Sequence, residues 1–179
     1  MEPGVSSGGD QQRFQALLIA VIADTHLPRG SRRLPGRCLE LIASSELLLH
    51  AGDFSSFEAF EELGRLGPPL RAVQGNVDDP RVRARLPERD VVEVGAVRIG
   101  LVHDAGPRRG RLERLRAAFP DADAVVFGHS HLPLHERAGG FQIFNPGSPT
   151  ERRRAPSRAM GLARVSGGRV EFEHVELAP

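Results

Sequence analysis

The sequence predicts an α/β fold with two packed β-sheets and helices on their outer faces. Three observations carry that expectation. Residues 17–23 (LLIAVIA) form an uncharged, apolar run that stops abruptly at Asp24, the pattern of a strand buried on both faces. From there to about residue 76 such runs alternate with amphipathic segments in the order β, α, β, α, β. From Asp90 onward the texture changes to paired apolar runs separated by glycine turns, which reads as hairpins. At 179 residues and 40% hydrophobic, the chain suits one well-buried domain and is short for two.

Residues 1–12 are rich in Gly, Ser, Gln and Pro without apolar periodicity, so they are expected to form a disordered tail, with one domain over 13–179. After the first strand, 27–31 is a loop, and Pro35 opens a helix through about Ala43. Leu47–His50 is the second strand. Ser55 or Ser56 caps a helix over 57–66 with Phe57, Phe60 and Leu63 on its apolar face. Residues 70–73 form a third short strand. Residues 91–94 and 97–102 pair across Gly95-Ala96, a basic helix covers about 110–118, and 124–127 is a buried strand. Two further hairpins close the chain: 134–137 with 141–144 across Gly139-Gly140, and 160–165 with 169–177 across Gly167-Gly168.

Composition excludes several classes. The formal net charge is +1, with no global basic field to attract nucleic acid. All 24 basic residues are arginine, which fits a GC-rich coding sequence. The single cysteine, Cys38, permits no internal disulfide and reads as a small buried hydrophobe on a helix. The run at 17–23 is too short for a bilayer and lacks the flanks of a signal peptide, so a cytoplasmic protein without a membrane partner is expected.

Chemistry gathers where strands end. The exits carry Asp24 and His26, then Asp53, Asn76, His103, and finally His129 and His131. In an extended segment residues i and i+2 point the same way, so Asp24 and His26 are expected to aim at one point. Open α/β sheets place ligands at the carboxyl ends of their strands. Two carboxylates, one amide and four imidazoles can hold two divalent ions. The mixed O/N set without thiolate suits Mn²⁺, Fe, Zn²⁺, Ni²⁺ or Mg²⁺ and does not choose among them; Mn²⁺ is the ion expected. Such a pair would attract an anionic substrate and clamp an in-line displacement at phosphorus. Gly52, Gly75 and Gly128 each precede one of these residues, where a missing Cβ allows close packing.

Asp24-Thr25-His26, Gly52-Asp53, Gly75-Asn76, His103 and Gly128-His129-Ser130-His131 together resemble the calcineurin-like metallophosphoesterases. The small size and Asn145-Pro146-Gly147-Ser148 narrow the resemblance to the compact bacterial and archaeal phosphodiesterases of that superfamily. It covers about 17–177 and implies a four-layer α/β/β/α sandwich. By the same resemblance, Asp24, His26 and His131 hold one metal, Asn76, His103 and His129 the other, and Asp53 bridges them. Asp53 and Asn76 are carried over as catalytic, and the nucleophile is a hydroxide bound between the metals.

Two positions depart from the pattern. Val77-Asp78 follows Asn76 where many relatives have a histidine that protonates the leaving group. Such general-acid help is worth roughly 10²–10⁴-fold in rate. A phosphodiester or activated ester is therefore the expected small substrate, with phosphomonoesterase or nucleotidase activity as the alternative. Asp104-Ala105 follows His103 where relatives often have Gly-His. A second alternative is a scaffold, since the superfamily includes a retromer subunit that works by protein contact. A metallo-β-lactamase is disfavoured because no His-x-His-x-Asp-His run occurs. His50 is either a partner that orients a ligand or a hydrogen-bonded core histidine. Asp78 and Asp79 are expected to cap the helix after Pro80. Ser148 is a candidate on the substrate side. Arg152, within Arg152-Arg153-Arg154, is a candidate grip for a phosphate. Edge strands leave a homo-oligomer possible.

Overall fold

The computed structural model describes residues 16–30 and 32–177, so the tail expected over 1–12 lies outside the described residues. In chain order the elements are β1 (Leu17–Ile22), α1 (Gly36–Ala43), β2 (Leu47–His50), α2 (Phe57–Gly64), β3 (Leu70–Ala72), α3 (Pro80–Arg85), β4 (Arg89–Val94), β5 (Val97–Val102), α4 (Arg111–Ala118), β6 (Ala124–Val126), β7 (Leu134–Ala138), β8 (Phe141–Asn145), β9 (Arg158–Ser166) and β10 (Arg169–Leu177). They build two five-stranded mixed sheets, ordered β10-β9-β1-β2-β3 and β4-β5-β6-β8-β7. No described helix is long and apolar enough to cross a membrane.

Alternation along β1 explains the layering. Ile19 and Val21 face the second sheet, where Ile99, Leu101, Val126 and Phe144 meet them. Ala20 and Ile22 face outward, under Cys38 and Ile42 of α1, Phe57 and Leu63 of α2, and Val82 of α3. The outer face of the second sheet (Val125, Ile143) is covered by Leu115 of α4 and by Phe119. The result is the expected helix–sheet–sheet–helix sandwich. Each fully buried Leu, Ile or Phe in these layers contributes about 1.5–3 kcal/mol.

Local chemistry sets the helix ends. Ser56 rather than Ser55 caps α2, its hydroxyl accepting from the Ala59 N–H at 3.1 Å. The helix closes at Gly64, two residues short of the expected end, just ahead of Gly67 and Pro68. Asp79 caps α3, accepting from the Val82 N–H at 2.9 Å, with Pro80 as its first residue. Asp78 does not cap, and its role belongs to the site.

Register places the two ends of the sandwich. β1 runs parallel to β2, and β5, β6 and β8 run parallel to one another, so their carboxyl termini share one end. The turns of the three hairpins, at 95–96, 139–140 and 167–168, lie at the opposite end.

Candidate metal centre

The convergence expected of Asp24 and His26 occurs, but not by strand geometry. β1 stops at Ile22, and both residues have left-handed backbones, with φ of 55° and 46°. Asp53, His129 and His131 do the same at 64°, 69° and 59°. Non-glycine residues rarely adopt this region, and their clustering marks a strained functional segment. Backbone bonds between the loops hold the conformation: the Asp24 N–H donates to Gly52 O at 2.9 Å and the His26 N–H to Asp53 O at 3.0 Å. In the second sheet the Gly128 N–H donates to His103 O at 3.0 Å. Gly75 is required by contact, because a Cβ there would stand 2.0 Å from Asp53 Oδ1.

All seven predicted residues come together. His26 Nε2 lies 3.1 Å from His131 Nε2 and 3.7 Å from Asp53 Oδ2. His131 Nε2 is 3.4 Å from Asp24 Oδ1, and His103 Nε2 is 3.2 Å from Asp53 Oδ2. Asn76 Oδ1 lies 3.0 Å from both His103 Nε2 and His129 Nδ1. Asp53 therefore stands between the two groups. Asp24, His26, Asp53, His103 and His131 are buried, whereas Asn76, Val77 and His129 are exposed, so the cluster opens to solvent on the Asn76–His129 side.

Electrostatics within the cluster are unbalanced. Burial pushes the Asp24 carboxyl up to about 7, against the opposing charge of His103. Burial also acts on Asp53, but the hydrogen bond and charge of His103 and the Val77 N–H outweigh it and hold the carboxyl at about 2. Burial disfavours the His103 imidazolium, yet the Asp53 hydrogen bond and the Asp24 and Asp53 charges raise it to about 8. His131 is lowered to about 4, chiefly by burial and then by the Arg153 charge.

Neighbouring groups orient the imidazole rings. His103 Nδ1 lies 2.7 Å from Ala51 O and His26 Nδ1 lies 3.2 Å from Ser55 Oγ, which turns each Nε2 toward the cluster. His50 sits outside the donor set and ties two loops together. The Gly52 N–H donates to its Nδ1 at 3.1 Å, so its Nε2 carries the hydrogen and donates to Thr25 Oγ1 at 3.0 Å. Burial lowers His50 to about 3, keeping it neutral in that role. Ser148 is buried and donates to Asp24 O at 2.8 Å, bracing the first loop. Arg152 is exposed and turns to Pro156 O.

The sequence reading gave Asp78 the wrong role and passed over Glu151. The buried Asp78 carboxylate accepts from the N–H groups of Ser55 at 2.8 Å, Gly75 at 2.7 Å and Asp53 at 3.3 Å, locking two site loops together. Its spacing before Pro80 pointed to a cap, and no local pattern distinguishes the two uses. Glu151 lies 3.4 Å from His131 Nδ1, but in sequence it is one acid at the head of an arginine run.

The residues fit divalent cations. One oxygen or nitrogen from each of Asp24, His26 and His131 lies within 4.8 Å of the others, and the same holds for Asp24, Asp53 and His103. Asp24 Oδ2 is buried with no hydrogen-bond partner, and two imidazole nitrogens face each other at 3.1 Å. A cation held among them satisfies all of these at once.

A four-layer sandwich with such a cluster at one end defines a metallophosphoesterase-type protein. The model of the calcineurin-like phosphoesterase superfamily domain matches residues 17–168, and the chain belongs to that metal-dependent family. A relative from Methanothermobacter thermautotrophicus, described as a probable metallophosphoesterase, is 34% identical over 159 residues, covering 88% of this chain and 91% of its own. Among solved structures, Vps29 from Entamoeba histolytica in complex with Zn²⁺ is 25% identical with a TM-score of 0.68, over 89% of this chain and 99% of that one. Vps29 from Chaetomium thermophilum shares the fold at a TM-score of 0.73 and 23% identity, over 89% of this chain and 97% of that one.

Proposed function

We propose that this protein is a phosphodiesterase that works with two divalent cations, Mn²⁺ foremost, held by Asp24, His26, Asp53, Asn76, His103, His129 and His131. The observation that carries this reading is the convergence of every expected donor at one end of the sandwich, with a buried carboxylate oxygen of Asp24 lacking a partner. Bound there, the cations supply positive charge against the phosphate and a water of lowered pKa as nucleophile.

The chain's own residues do the rest. Asp53 stays ionised beneath the substrate and, with Val77 N–H on Oδ1 at 3.0 Å, keeps a fixed orientation. Asn76 and His129, on the exposed side, border the path by which a phosphate enters. Val77 stands beside them, 48% exposed, and has no proton to give a leaving group. Esters with good leaving groups, diesters among them, are served best by such a site.

The Vps29 likeness favours a second reading, a scaffold that acts by protein contact. Metal binding does not separate the two readings, because the E. histolytica Vps29 was solved with Zn²⁺. Turnover does. Chelator-stripped protein given Mn²⁺ is expected to hydrolyse bis-p-nitrophenyl phosphate. Asp53→Asn should lose more than the roughly 10–100-fold that disturbing an outer partner costs, since it removes a direct donor. Absence of turnover with Mn²⁺, Ni²⁺, Zn²⁺ and Mg²⁺ would favour the scaffold.

A further inference from the structure

We propose that Arg29, Arg32 and Arg153, gathered by the Glu151 carboxylate, form an anion subsite at the rim of the metal centre. This subsite selects substrates that carry a second phosphate beside the scissile one. The inference rests on the phosphoesterase reading for the identity of the first phosphate.

Glu151 is the hub. Its Oε1 accepts from Arg32 Nη2 at 2.7 Å and lies 3.6 Å from Arg29 Nη1. Its Oε2 lies 3.1 Å from Arg153 Nε and 3.4 Å from His131 Nδ1. The carboxylate is thus one imidazole ring away from the donor atoms of the metal centre. Three guanidinium groups share a single carboxylate, so the rim holds positive charge in excess. Each guanidinium offers five N–H donors, far more than two carboxylate oxygens can accept.

Ordinary surface ion pairs contribute little and need no function. Three observations set this cluster apart. The Glu151 side chain is only 15% exposed and sits against His131, which is 1% exposed. Arg32 Nη1 is buried and has no hydrogen-bond partner, a donor aimed at nothing the protein supplies. Arg153 adopts a left-handed backbone, φ 46°, in common with five of the predicted metal-binding residues. Its Nε binds Glu151, so both terminal amino groups fall outside that pair. The Arg153 charge also acts on Asp24, His26 and His131, which places its field within the metal centre.

Arg32 also lines a cavity of about 380 Å³ whose walls include Leu27, Pro28, Leu34 and Leu39 and the acids Glu58 and Glu62. A phosphate monoester carries nearly two charges and three acceptor oxygens, which matches guanidinium forks better than a neutral or singly charged group does.

The test compares thymidine 3′,5′-bisphosphate with thymidine 5′-monophosphate, probes that differ only in the second phosphate. Calorimetry on the Mn²⁺-loaded wild type is expected to show the bisphosphate binding at least tenfold tighter. Arg32→Gln and Arg153→Gln should each remove most of that ratio, while Arg65→Gln, at the residue that follows α2 and pairs with Glu61, keeps it. Arg153 is half exposed, so its variant guards against a folding defect at Arg32. A ratio near one in the wild type, or one unchanged in both variants, overturns the subsite. Hydrolysis of bis-p-nitrophenyl phosphate is recorded on the same samples. Its absence would sink the esterase reading, while the binding ratio still decides the subsite by itself.

Discussion

The two ends of the sandwich make the same backbone move with opposite materials. At the hairpin end the chain turns through positive φ at Gly95, Gly139, Gly140, Gly167 and Gly168, and a Cβ at Gly95, Gly140 or Gly167 would meet nothing within 4 Å. At the site end the same region of φ is occupied by Asp24, His26, Asp53, Ser55, His129 and His131. Glycine would be the easier choice there, at about 1–2 kcal/mol less strain per residue. The protein accepts the strain because each position must present a side chain. Strain located away from glycine therefore coincides with the candidate site, Arg153 at its rim included.

The contrast can be broken most severely at Asp78, which holds the strained loops without entering the donor set. Asp78→Ala leaves three backbone N–H groups without their carboxylate. The expected loss is on the order of 4 kcal/mol, a fall in Tm of about 10 °C, with weakened Mn²⁺ binding. A melting curve within about 2 °C of wild type would show that the loops hold themselves.

Acid probes the same end through His50, whose folded value is lowered to about 3 by burial and then by the charge of His103. The unfolded chain takes up this proton first, near 6.5, so the unfolded state binds more protons between about 6.5 and 3. Stability contributed by neutral His50 is complete above about 6.5. It falls as pH drops, by up to about 1.4 kcal/mol per pH unit. Denaturant titrations at pH 7 and pH 5 should show His50→Gln less stable than wild type at pH 7 yet losing less on acidification. Equal losses would assign the acid sensitivity elsewhere.

The smallest effects sharpen the comparison best. Ser55→Gly relieves a φ of 85° but removes the partner of His26 Nδ1. Stability is expected to hold or rise by up to about 1 kcal/mol while Mn²⁺ affinity falls roughly tenfold. Gly140→Ala imposes strain where no side chain is needed, costing about 1 kcal/mol with Mn²⁺ affinity unchanged. If both variants changed the same property, the two ends would not differ as described.

Much of this was legible in the sequence because it depended on local pattern. Buried strands announced themselves by apolar runs, hairpins by glycine turns, and the candidate donors by acids, an amide and histidines at strand exits in order. The layers followed, since an apolar run such as 17–23 needs cover on both faces. What stayed hidden depended on partners distant in sequence. The left-handed turn at Asp24 is held by Gly52, and the bridge of Asp78 reaches back to Asp53. Glu151 matters only because His131 and Arg32 come to it through the fold. Asp78 beside Pro80 looked like a cap, whereas its neighbour Asp79 took that position and released Asp78 for the loops.

The place of β9 carries a consequence for how the protein is made. The central strand β1 is flanked on one side by β2, next in the sheet after α1, and on the other by β9, which begins at Arg158. During synthesis one edge of this apolar strand has no native neighbour until nearly the whole domain has left the ribosome. At about 5–20 residues per second that interval is roughly 7–27 s. An open, uncharged edge invites pairing with another nascent chain. Crowded translation is therefore the stage at which this sandwich is most prone to aggregate, long before its metal centre can exist.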